Sequence, residues 1–103
     1  MLKRYPKDPN STVDFLFDFA SSRNGNGYSD YLDYGETISS AVAISSNSSE
    51  LIINSTDKTN NDTAVKVWVS GGVVGSSYTL TVRITTSSAR VDDRSITIYI
   101  DNL

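Results

Sequence analysis

VKVWVSGGVVGSSYTLTVRITTSSARVDDRSITIYI, residues Val65 to Ile100, alternates apolar and polar side chains through three successive runs. In the middle run Tyr78, Leu80, Val82 and Ile84 share one face, and Thr79, Thr81, Arg83 and Thr85 share the other. Ile96, Ile98 and Ile100 repeat the pattern in the last run. Successive side chains of a strand point to opposite sides of its sheet, so this period marks antiparallel strands with one buried face. Gly71-Gly72 and Gly75 break the first run from the second, and Ser87 to Asp93 reads as the hairpin connection before the third. The stretch places the chain in the all-β class, as a sandwich, and its residues form no catalytic constellation.

The residues before it supply the remaining strands. Thr12 to Phe19 puts Val13, Phe15, Phe17 and Phe19 on one face and Asp14 and Asp18 on the other, so this strand anchors the core. In Glu36 to Ser45, Ile38, Val42 and Ile44 fall on one face with Ser40. Leu51-Ile52-Ile53 is a third short apolar run, and Ser55 to Asp62 reads as a polar turn or long hairpin loop. Six or seven strands with regularly spaced turns are the pattern of an immunoglobulin-like antiparallel sandwich. Tyr78, just inside the penultimate strand, suits a tyrosine corner whose hydroxyl bonds back to nearby backbone. A small barrel or jelly-roll fragment is the structural alternative. Pro6 and Pro9 exclude a helix from Met1 to Ser11, which reads as an extended N-terminal arm ahead of a single domain over residues 12–103.

Composition excludes several classes of function. A chain of 103 residues forms one domain with one modest core. It has no cysteine, hence no disulfide framework and no thiolate metal site, and no histidine, the commonest general base. The net charge of −3 lacks the basic stripe of a nucleic-acid binder. No apolar stretch approaches the ~20 residues that span a bilayer. Basic residues near Met1 are followed by no apolar h-region, so the start does not read as a signal peptide, and the leading Met1 favours use without export.

The candidate sites follow from this background. Ser22, Asn24, Asn26, Gly27 and Asp33 fall on a calcium-loop template, but without its first Asp and last Glu, so a polar turn-rich loop is the better reading and no metal or cofactor is expected. Asp30 with Asp33, and Asp92 with Asp93, are turn carboxylates rather than an acid–base pair, and Arg94 beside the latter reads as a surface ion pair. Sequons at Asn10, Asn47, Asn54 and Asn61 arise by chance in a chain of which roughly a third is Ser, Thr and Asn. Tyr28, Tyr31 and Tyr34, among small polar neighbours, are either a recognition surface or a cover for one end of the sandwich. Trp68 lies opposite Val65, Val67 and Val69 along its strand: it is an exposed interface residue if the valines face the core, or a cover for the core edge if the strand bulges.

Three segments carry a resemblance. They are Tyr5-Pro6-Lys7-Asp8-Pro9-Asn10-Ser11-Thr12-Val13-Asp14-Phe15 with Phe17-Asp18-Phe19; Leu32-Asp33-Tyr34-Gly35-Glu36-Thr37-Ile38-Ser39-Ser40; and Trp68-Val69-Ser70-Gly71-Gly72, Gly75-Ser76-Ser77-Tyr78 and Arg83-Ile84-Thr85-Thr86, closed by Arg90-Val91-Asp92-Asp93-Arg94-Ser95-Ile96-Thr97-Ile98. Together they resemble the fibre-tail adaptor proteins, small virion proteins of tailed bacteriophages, over nearly the whole chain. The stretch Ser22 to Asp30 departs from that pattern as an insertion.

The resemblance implies a non-enzymatic, Ig-like virion protein, assembled in the host cytoplasm and present in multiple copies or a ring at the head-tail neck. Its partners would be neck or connector, capsid or fibre subunits, with no nucleic acid and no membrane. Lys3, Arg4 and Tyr5 on the arm, Tyr28, Tyr31 and Tyr34 at one end, and Trp68 are the candidate contact residues. The arm is expected to dock on a neighbour, so that deleting residues 1–10 spares folding. A capsid decoration protein and a carbohydrate-binding or adhesion module are the rival readings.

Overall fold

The computed structural model describes residues 3–19, 32, 36–59 and 61–102. Its strands are β1 (Lys3–Lys7), β2 (Thr12–Asp18), β3 (Ile38–Ser45), β4 (Leu51–Thr59), β5 (Ala64–Gly71), β6 (Ser77–Thr86) and β7 (Val91–Ile100). They form a four-stranded sheet in the order β1-β7-β6-β3 and a three-stranded sheet in the order β2-β5-β4. Every pairing is antiparallel except that of β1 with β7. The result is an all-β sandwich, without helix among the described residues, and its strand order is compatible with an Ig-like fold.

The core follows the alternation. Val65, Val67 and Val69 of β5 join Leu80, Val82 and Ile84 of β6 and Ile96, Ile98 and Ile100 of β7 in one buried cluster. Phe17 and Phe19 enter the same cluster. Tyr78 makes the expected corner: its hydroxyl accepts from the Val73 N–H at 3.0 Å and donates to Glu50 Oε1 at 2.8 Å. Two glycines are required where the sheets meet. A Cβ on Gly71 (φ +84°) would sit 2.5 Å from the Glu50 carbonyl oxygen, and one on Gly72 (φ +102°) would overlap the Ile100 side chain. The buried Glu36 carboxylate takes a two-pronged bond from Arg90, 2.6 Å from Nη2 and 3.1 Å from Nε, tying the entry of β3 to the β6–β7 turn.

Several expectations are corrected. The stretch read as a separate arm is extended, but Lys3–Lys7 pairs in parallel with β7, Tyr5 opposite Ile98 and Lys7 opposite Ile100. Lys7 is only 2 % exposed, and its ammonium donates to the carbonyls of Gly71 at 2.7 Å and Asp8 at 2.9 Å. Burial pushes that ammonium below the usual lysine range, against the pull of Asp8. The arm is therefore a strand of the sandwich. Pro6 fits there because the Asp101 N–H bonds the Lys7 carbonyl, which puts the backbone groups of alternate residues Arg4 and Pro6 on the free edge, where no N–H is needed.

In β3 the register shifts between Ile38 and Ser40. One extra residue reverses the parity, so Ile38 is buried, Ala41 and Ala43 point inward, and Val42 and Ile44 are exposed. The segment Ser55–Thr59, read as loop, continues β4 after a register shift at Asn54. Its ladder to β5 holds it in place of apolar content. β7 begins at Val91, inside the segment read as a connection. Asp93 pairs with Arg83 across the sheet, Nε to Oδ1 at 2.8 Å and Nη2 to Oδ2 at 3.0 Å. The adjacent Arg94 points to the other side, where it donates to the Asp18 carbonyl at 2.9 Å and covers the Phe19 ring.

Candidate functional site

The valines of β5 face the core, so the intervening residues of that strand face out. Trp68 is among them, 37 % exposed in the middle strand of the smaller sheet. The register places Asp14 of β2 on one side of Trp68 and Ser55 of β4 on the other. Leu16 lies opposite Lys66, one pair along β5 in one direction, and Ile52 lies opposite Ser70, one pair along in the other. Leu16 is 53 % and Ile52 45 % exposed. Residues at diagonal positions on adjacent strands are within reach of long side chains. Leu16, Trp68 and Ile52 thus form an apolar diagonal across all three strands.

The face around that diagonal is acidic. Among the described residues of the three strands, Asp14 and Asp18 of β2 and Asp57 of β4 share it with one cation, Lys66 of β5. An apolar strip centred on a tryptophan and bordered by carboxylates suits a protein partner that brings apolar and basic side chains. The outer face of the larger sheet carries the Arg83–Asp93 pair and the 2.7 Å contact of Thr81 Oγ1 with Ser95 Oγ, beside the exposed Val42, Ile44 and Val91. Hydrogen bonds from Arg83 hold the Asp93 carboxyl below its usual range.

The other described candidates are consecutive residues of β1, in the other sheet. Lys3 and Arg4 are exposed on β1, and the Arg4 guanidinium lies 5.1 Å from the Tyr99 ring centre. Tyr5 turns inward, half-buried, with its ring 5.5 Å from that of Phe15. Its area serves the open side of the core. Tyr28, Tyr31 and Tyr34, and most of the calcium-template loop, lie outside the described residues. The structure thus brings Trp68 together with residues not singled out in the sequence. For Leu16 the signal was present: it falls on the Asp14 and Asp18 side of an otherwise clean alternation. For Ile52 it was not, because three consecutive apolar residues give no parity.

A family model described as podophage GP4 fiber-tail adaptor protein gp77 matches residues 7–99. That span begins at the end of β1 and runs almost to the end of β7. No curated protein matches the chain.

Proposed function

The chain belongs to the podophage GP4 fiber-tail adaptor protein gp77 family, and from that premise we propose that it is a structural attachment module of the head-tail neck, linking neck or tail subunits to fibres in multiple copies. The family match over residues 7–99 carries this reading. The family name makes the chain a phage structural protein whose partners are other virion proteins. A rigid sandwich with a tryptophan-centred outer face supports the role, because such a body presents a fixed surface at little entropic cost. The contact surface is the outer face of β2-β5-β4, with Trp68 as its anchor; Lys3 and Arg4 on β1 are a second, basic contact. Contacts of modest strength suffice when many copies bind together, since avidity multiplies them.

A cryo-EM map of particles containing this chain tests the proposal. Density in a closed ring at the head-tail junction, with the Trp68 face against a neighbouring subunit, is the expected result. Density spread over the capsid lattice would make the chain a decoration protein. Absence of the chain from particles would return it to the class of free adhesion modules. Trp68→Ala should leave the melting temperature nearly unchanged while reducing incorporation, because exposed tryptophans act through binding (about 2 kcal/mol or more at a hot spot).

A further inference from the structure

Among the described residues the sandwich has four edge strands, β1 and β3 in one sheet and β2 and β4 in the other. Natural sheets blunt their edges against stray pairing with prolines, bulges, lysines or covering segments. β1 is five residues long and places Pro6 on its free edge. β3 and β4 each carry a register shift and lie against one another. Lys58 ties them, donating to the carbonyls of Ile38 and Ser39. β2, TVDFLFD, has no proline, no lysine and an unbroken register.

The direction of its free groups is fixed. The Phe19 N–H bonds the Thr63 carbonyl, so Val13, Phe15 and Phe17 direct their backbone groups to β5, and Thr12, Asp14 and Leu16 direct theirs outward. No described residue pairs with the backbone of Thr12, Asp14 or Leu16 on that side. The inward side chains along the same edge, Val13 and Phe15, are only partly buried. An open ladder with a half-covered apolar side is the geometry that accepts an added strand.

We propose that the free edge of β2 between Thr12 and Leu16 accepts an extended strand of a partner protein that has apolar side chains on one face and basic and apolar side chains in turn on the other. On the outer face the added strand lies beside Asp14, which favours Lys or Arg there, and beside Leu16, which favours an apolar residue. On the inner face its alternate residues cover Val13 and Phe15. The same carboxylate opposes a second copy of β2. The antiparallel register that pairs the whole open window sets Asp14 opposite its own copy, and like charges directly opposite are unfavourable. That the partner is another virion protein rests on the adaptor reading; the chemistry of the edge does not.

The test uses the full chain and two blocked eight-residue peptides. One alternates Val with Arg and Leu; the other has Glu in place of Arg. Amide exchange followed by NMR reads the site. The basic peptide should protect the amides of Asp14 and Leu16 and bind about ten-fold more tightly than the acidic one. Asp14→Lys should invert that preference, and Asp14→Pro, which removes an outward N–H, should abolish binding of both. Should Asp14→Pro fail to fold, the inversion by Asp14→Lys still decides. No protection at millimolar peptide, or equal binding of the two peptides, would overturn the proposal. Concentration-dependent protection without peptide would assign the edge to a second copy and overturn it as well. Particle content is measured separately: absence of the chain from virions overturns the identification of the partner as a virion protein and leaves the peptide result standing.

Discussion

The two flanks of the sandwich are built differently. On one, β3 and β4 lie against each other, both are bulged, and Lys58 bridges the sheets, with Asp62 4.0 Å from its ammonium. On the other, β1 and β2 are joined by the Asp8–Ser11 turn, in which the Ser11 N–H and hydroxyl both bond the Asp8 carbonyl. Between them stands the tilted contact of Tyr5 with Phe15. The first flank is closed by polar groups reaching across the sheets. The second is held by that aromatic contact, a buried lysine and the Arg94 bond to the Asp18 carbonyl, and among the described residues it leaves the edge of β2 from Thr12 to Leu16 unpaired.

That contrast can be broken most severely on the β1–β2 flank. Deleting residues 1–10 should cost about 3 kcal/mol or more, since it removes a paired strand, the Lys7 bonds and the Tyr5 cover. For a domain of this size that is a drop in melting temperature of roughly 12 °C or more. An unchanged melting curve would show that β1 is an accessory arm after all. Val13→Pro should cost a similar amount, about 3 kcal/mol, because its N–H belongs to the ladder with β5. Asp14→Pro, one residue along, removes only an outward N–H. Equal damage from the two prolines would refute the assigned direction of the β2 edge.

Lys7→Met should cost about 1–2 kcal/mol by leaving the Gly71 and Asp8 carbonyls without their donor. Its pH dependence has a definite sign. The ammonium titrates lower in the folded chain than the unfolded value of 10.5, so between those values the unfolded chain binds more protons. Stability from this group therefore rises as pH climbs through that alkaline window, and is lost as pH falls back through the folded value. The difference between wild type and Lys7→Met in urea melts should widen across the window; a constant difference would contradict the shift.

On the closed flank, Lys58→Ala should cost only about 0.5–1 kcal/mol, because its bonds are long and partly exposed. It should also expose the β3 edge, which increased self-association on gel filtration would report. The smallest effects belong to the outer face: Leu16→Ser should change stability by less than about 0.5 kcal/mol in denaturant melts. A large loss there would mean that the apolar diagonal is part of the fold rather than a surface for a partner.

The pattern of the sequence determined the inner face of β5, β6 and β7, the glycine breaks, the Tyr78 corner and the all-β class. These are local properties, since alternation within one strand and the backbone freedom of glycine require no knowledge of the partner. It also placed Trp68 opposite the valines, leaving its side conditional on a bulge. Tertiary structure decided the remainder. The absence of a register shift in β5 against β2 puts Trp68 outside, whereas the shift in β3 turns Val42 and Ile44 out with it. Pairing with a strand more than ninety residues away turns Lys3–Lys7 from an arm into β1, and pairing with β5 makes a strand of the polar Ser55–Thr59. Register, bulges and the identity of edge strands depend on which distant segments meet, and a period of two along the chain carries no record of that.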